Sequence, residues 1–302
     1  AVAFLPPLRA TMDRAWLSAC LVGGGLFGVH QILFFNSLKL TSVANVTIIG
    51  ALQPALVVLV AGRMFNETVT RHAVGWSLLA LVGTVMVVLG SAGTPTWSPL
   101  GNLVAVANLF AFTAYFLASK RIRTRIGTSE YIVGMTTVAG FVILAASWLT
   151  GQDFGSPRGW DWLILLFIAI VPGTLGHFLT NWAHQHTSAF VMSIMLLAVP
   201  VLASVGAVLV LGERLGPPQI IGGVVVLVAI GVIVSSSAKT GAANAQAAAS
   251  GSSANASASS SSPVALFSDE TCSPVNKAGK YLSARIGSSA DCKLSASWAK
   301  AV

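Results

Sequence analysis

TSVANVTIIGALQPALVVLVAGRMFNE occupies residues 41–67, and TSAFVMSIMLLAVPVLASVGAVLVLGE occupies residues 187–213. Both open on Thr-Ser, place a proline 12 positions after the serine (Pro54, Pro200) and a glutamate 13 positions after the proline (Glu67, Glu213). Seven of the 27 aligned positions are identical: Thr41/Thr187, Ser42/Ser188, Ile48/Ile194, Pro54/Pro200, Leu56/Leu202, Ala61/Ala207 and Glu67/Glu213. With a two-residue insertion the match continues, pairing Gly75 and Gly83 with Gly223 and Gly231. One unit of structure has been written twice.

The material of that unit decides the fold class. The chain of 302 residues is 55% apolar and 9% charged, with a mean hydropathy of +0.80, against about 25% charged residues in an ordinary soluble domain. Residues 72–119 and 163–212 contain no Asp, Glu, Lys or Arg. Such stretches suit a lipid-facing surface. In hydrocarbon every backbone N–H and C=O needs a partner within its own segment or in a closed barrel. The apolar runs are long and unbroken where a barrel would alternate over about ten residues. The expectation is an all-α polytopic membrane protein with eight full spans, near 14–37, 43–62, 72–91, 98–120, 130–150, 160–184, 188–211 and 217–237. Residues 1–8, AVAFLPPL, read as the end of a further apolar helix, so the first one to two helices are expected to be missing from the front.

The net charge of +8 follows topology, and no nucleic-acid partner is expected. With consecutive spans alternating in direction, Arg9, Arg14, Arg63, Arg71, Lys120, Arg121, Arg123, Arg125 and Lys239 share one side, and Lys39, Arg158 and Arg214 the other. Nine against three puts the first set, and the C-terminus, in the cytoplasm. Residues 239–302 form a tail that opens on an Ala/Ser/Asn/Gly linker at 242–262 and is expected to be disordered. Cys20, Cys272 and Cys292 show no metal-ligand spacing; neither a metal nor a cofactor is expected.

Under the same alternation the Glu67 loop is cytoplasmic and the Glu213 loop outside, so the two copies cross in opposite senses. Inverted repeats mark secondary transporters, with the site near the midplane between the halves. An inverted repeat needs an odd number of helices, and five plus five accommodates the eight visible spans. The residues also resemble a known family. Thr-Ser, then proline, then Gly212-Glu213-Arg214-Leu215-Gly216-Pro217-Pro218-Gln219-Ile220-Ile221-Gly222-Gly223 is similar to the EamA-type branch of the drug/metabolite transporter superfamily, and Asn66-Glu67-Thr68-Val69-Thr70 is a looser form of the same phrase. The resemblance implies an incomplete first EamA repeat at 1–91, a second at 98–238, ten helices, both termini cytoplasmic and no ATPase. It further implies a permease of the inner or plasma membrane moving small polar metabolites or amino acids, often outward. The expected partners are a small-molecule substrate and the bilayer, and the sequence allows a homodimer. A channel or scaffold is the alternative. An intramembrane enzyme is disfavoured, because no converging acid, base or metal motif is present.

Pro54 and Pro200 lie mid-span, where a proline removes a helical hydrogen bond; they read as fixed bends or as hinges. Glu67 and Glu213, about 20 Å further along, read as helix-end caps or as gates that pair with a basic residue. No acid lies in the interior of a span, which argues against carboxylate-based proton coupling. The site is therefore expected among the intramembrane polar residues His30, Gln31, Asn108, Tyr115, His177, Asn181 and Trp182. Their alternative role is helix–helix hydrogen bonding, or interfacial anchoring for Trp182. His177 and Asn181 share a helical face, as do Asn108 and Tyr115. Gly23, Gly24, Gly25, Gly28, Gly173 and Gly176 read as close-packing points.

Overall fold

Thr41-Ser42 and Thr187-Ser188 both become helix starts. The Ser42 hydroxyl accepts from the Asn45 N–H at 3.2 Å, and the Ser188 hydroxyl from the Val191 N–H at 3.1 Å. These are the same position of the repeat, and each serine caps its helix in the usual way. The computed structural model describes residues 13–65, 67, 69–91, 98–152, 155, 157–212 and 214–260, and among them the ordered backbone is helical, without strands. In order come α1 (Arg14–Leu40), α2 (Val43–Gly50), α3 (Gln53–Phe65), α4 (Arg71–Ser91), α5 (Pro99–Ile122), α6 (Thr128–Leu149), α7 (Asp161–Ile168), α8 (His177–Ala183), α9 (Ala189–Met195), α10 (Val199–Leu211) and α11 (Pro217–Ser260). Eight helical segments among the described residues are long and apolar enough to cross a membrane, from Arg14–Leu40 to Pro217–Thr240, at the places the sequence indicates.

Three of the eight are broken. Pro54 has no N–H, and the chain responds at Ala51–Leu52, where Leu52 N–H turns back to Ile49 O at 3.1 Å before α3 begins. In the second copy the same register holds a tight turn at Leu196–Ala198, with Pro200 in the first turn of α10. The third break was not anticipated. Pro172 lies within Asp161–Ala183 and widens Ala169–Gly176 into a π-helical turn, and the Thr174 hydroxyl reaches the Ala169 carbonyl five residues back at 2.8 Å.

Alternation of apolar bulk and glycine sets the packing. α1 packs chiefly on α5 and α6. A Cβ on Gly24 would lie 2.6 Å from Met135 O, and one on Gly28 2.9 Å from Val142 Cβ; Gly23 abuts Tyr131 in the same way. Gly25 meets nothing within 4 Å, and Gly173 and Gly176 approach only the backbone of their own helix, so the close-packing reading holds for three of the six. α4 and α11 touch backbone to backbone, since a Cβ on Gly222 would lie 2.5 Å from Gly83 O and one on Gly83 2.8 Å from Gly222 O. One buried cluster joins Ala80 and Val87 of α4, Phe190 and Ile194 of α9, and Val226 and Ile233 of α11; another joins α1, α5 and α6 through Cys20, Phe27, Tyr115, Tyr131 and Met135. Large exposed apolar side chains such as Leu59, Phe141, Leu209 and Val210 suit contact with lipid.

By contact the chain divides at Ala247 into Ala1–Ala247 and Ala248–Val302. Residues 242–260, read from composition as a flexible linker, are helical within α11. Alanine recurs there and is the strongest helix former, a preference that outweighs the serines. Residues 261–302 lie outside the described residues.

The glycine crossing gives a direct test. Gly222→Val should destabilise the protein by about 1–3 kcal/mol through overpacking, read as a lowered thermal midpoint in detergent. Gly206→Ala, at a position open for 4 Å, should leave that midpoint unchanged.

Candidate functional site

Five of the seven polar residues singled out in the spans converge. His30 on α1 donates from Nδ1 to Asn108 Oδ1 on α5 at 2.7 Å. Asn181 on α8 donates from Nδ2 to the Tyr115 hydroxyl on α5 at 3.1 Å and to its own-helix carbonyl, His177 O, at 2.9 Å. The His177 ring meets Phe27 edge-on with centroids 4.6 Å apart, Phe27 lies 4.9 Å from Tyr115, and His30 lies 4.7 Å from Phe112. α1, α5 and α8 thus enclose a cluster of polar tips among aromatic rings, with no Asp, Glu, Lys or Arg in it. Phe27 and Phe112 escaped the sequence reading because a phenylalanine in an apolar span carries no signal of its own.

Two of the seven lie elsewhere. Gln31 is rotated off this face and lines a separate cavity of about 220 Å³ with Asn36, Lys39, Thr150 and Gln152. Trp182 is half-exposed and stacks on His186 at 4.4 Å, which fits the interfacial alternative.

Around this cluster, at the end of the bundle where α3 finishes, lies a second constellation. Glu67 accepts from the Ala189 N–H at 2.6 Å and the Phe190 N–H at 3.1 Å. With Ser188 it supplies the first N–H groups of α9 with acceptors, which a helix start otherwise leaves unpaired. Lys120 stands 3.9 Å from Glu67 and donates to the carbonyls of His184 and Thr187. The acid that ends the first copy of the repeat is therefore seated on the helix that begins the second. Glu213 lies outside the described residues. Pro54 and Pro200 mark the helix breaks described above.

Arg123, counted from sequence only as a topology charge, is 0% exposed. Its Nε donates to Asn181 O at 3.1 Å, and its two terminal nitrogens reach Ile126 O and the Thr128 hydroxyl. Gln185 closes the circle with a bond to Arg123 O at 2.8 Å. One guanidinium thus ties the end of α5 to the end of α8 and the start of α6. Nothing in the run Lys120-Arg121-Ile122-Arg123-Thr124-Arg125 separates it from its neighbours, except that Lys120 and Arg123, three apart, share a helical face.

His184 sits between Lys120 and Arg123, buried, with its ring edge-on to Phe116 at 4.6 Å. Burial, with both cations acting in the same direction, pushes its pKa from 6.5 down to about 3. The folded protein therefore holds His184 neutral where an unfolded chain would take up a proton. Its contribution to stability is complete above pH 6.5 and declines as pH falls from 6.5 toward 3. The thermal midpoint in detergent should fall between pH 6.5 and 4, and His184→Phe should flatten that fall.

Against known proteins, residues 1–89 and 99–235 match the EamA-like transporter family. The aromatic amino acid exporter YddG of Ancylobacter novellus is 28% identical over 185 residues, covering 60% of this chain and 63% of that protein. An uncharacterized transporter of Haemophilus influenzae is 27% identical over 230 residues, covering 71% and 73%. A biotin transporter of Salmonella typhimurium is 23% identical over 200 residues, covering 65% and 66%. The chain thus spans less than two thirds of the length of the first of these relatives. One solved crystal structure aligns with a TM-score of 0.61 at 19% identity, over 77% of this chain and 92% of that one; the two share a fold.

Proposed function

The chain belongs to the EamA-like transporter family, and on that premise we propose that it is a secondary permease exporting a small organic metabolite by alternating access of two inverted halves. The family and the eight spans support a multi-pass membrane transporter; the transport activity, its substrate, direction and mechanism are the proposal. The observation that carries it is the convergence of His30, Asn108, Tyr115, His177 and Asn181. They come from the first half (α1) and the second half (α5, α8), inside spans where polar groups are costly unless they serve a path. Two of these relatives are named for a cargo, aromatic amino acids in one and biotin in the other, which supports a small organic solute. A metabolite path through a lipid-embedded bundle, without a cluster of acids among the described residues, suits a permease better than an enzyme. The cell membrane is the proposed location, with the C-terminus in the cytoplasm.

Alternating access needs a bend and a gate. Pro54 and Pro200 are the proposed bends, each just after a break in its span. Glu67 is the proposed cytoplasmic gate, holding α9 while Lys120 neutralises it, and Glu213 is its proposed counterpart on the outer side by position in the repeat. A static channel would have no use for a contact that must break.

Two outcomes are expected. Cells expressing the intact protein should accumulate one class of compound in the medium, and His177→Ala/Asn181→Ala at equal membrane abundance should lower that export roughly tenfold, equivalent to about 1.4 kcal/mol of lost binding. Equal profiles for empty, intact and variant cells would remove the exporter reading. In the second, Glu67→Gln weakens the hold on α9, so a cysteine placed at Ala189, buried in the intact fold, should react faster with a membrane-impermeant thiol reagent applied from the cytoplasmic side. Unchanged labelling would remove Glu67 from the gate.

A further inference from the structure

We propose that Asn181 is the specificity-determining acceptor of the central cluster, and that it selects a neutral, flat heterocycle bearing an N–H donor. This rests on the permease reading and adds to it the chemical class of the cargo.

The orientation of the Asn181 amide is fixed by its neighbours. Only an NH₂ group can face a carbonyl, and Nδ2 lies 2.9 Å from His177 O. The second N–H of that group goes to the Tyr115 hydroxyl. Oδ1 is thereby turned away from both, and it is buried with no hydrogen-bond partner, on a residue that is 0% exposed. A buried acceptor left without a donor is destabilising, and here the arrangement is imposed from two sides. Inside, the amide is held by His177 O and Tyr115. Outside, the backbone carbonyl of the same residue is held by the buried Arg123 guanidinium. Both restraints fix a side chain whose free oxygen is still unmatched, the condition of a prearranged binding group.

The surroundings narrow what could supply the missing donor. Phe27 lies within ring-contact distance of both Tyr115 and His177, and an aromatic lining favours a flat guest. No carboxylate joins the cluster, so a buried ammonium would have no counter-charge, an expensive state in hydrocarbon. The adjoining Arg123 guanidinium directs its donors to Asn181 O, Ile126 O and the Thr128 hydroxyl, so a carboxylate or phosphate guest would be poorly matched. A neutral ring N–H pays neither cost and satisfies Oδ1.

The test uses the full chain purified in detergent, with indole and 1-methylindole as probes; they differ by the single N–H. Indole should raise the thermal midpoint saturably, and 1-methylindole should bind roughly tenfold or more weakly. Asn181→Leu, close in shape and lacking the unmatched oxygen, should bind both probes alike. Equal shifts from the two probes with the unaltered protein, or none from either, would overturn the assignment. The permease reading would then still be judged on the export profile alone, so the two fail separately.

Discussion

Hydrocarbon offers no partner to an unpaired backbone group, and the rest of this bundle depends on how the chain meets that constraint. A span can be interrupted only where another group takes up the freed N–H or C=O. At Ala51–Leu52 the chain tightens into i to i+3 bonds, at Leu196–Ala198 it does the same, and at Ala169–Gly176 it widens instead. The first two breaks lie at the same position of the repeat and adjoin the same residue type. The third comes from Pro172, and it leaves α8 as a short separate piece carrying His177 and Asn181. The segment that presents the polar cluster is thus set off from the regular helix before it by a wide turn, and its position is fixed by further contacts.

Those contacts are electrostatic, and they are gathered at one end of the bundle. Arg123 holds the end of α8 through Asn181 O, Lys120 holds the turn between α8 and α9 through the carbonyls of His184 and Thr187, and Glu67 holds the first turn of α9. Two cations and one carboxylate are largely withdrawn from water here. Such groups are costly to bury alone, and breaking one partner from such a set costs more than the set contributes. A contact of this kind is suited to being either fully made or fully broken. His184 stays uncharged there because burial, and then the two neighbouring cations, disfavour a third positive charge.

How much of this could be read beforehand varies with the kind of physics involved. Span number and position were legible because hydrophobic length is a property of the sequence alone. The two proline breaks were legible because the motif occurs twice and proline lacks an N–H. Convergence of His30, Asn108, Tyr115, His177 and Asn181 was legible in part, since polar residues inside spans must turn inward. Which helix faces meet was not, and so Gln31 and Trp182 were grouped with residues they do not touch. Arg123 was hidden among four basic residues in six, where burial depends on the rotation of α5. The helical continuation of α11 over 242–260 was hidden because alanine and serine together read equally well as a linker.

The proposed gate and the proposed site are physically connected. α5 carries Asn108 and Tyr115 in its interior and Lys120 at its end, and just beyond it lies Arg123, so one helix contributes to both the polar cluster and the contact that holds α9. Residue Asn181 is bonded to the cluster by its side chain and to Arg123 by its backbone. A guest that pulled on the Asn181 amide would pull on the residue that Arg123 anchors, three positions from Lys120. No longer path is needed for occupancy of the centre to bear on the closure of one end, because the two sites share α5 and meet at a single asparagine.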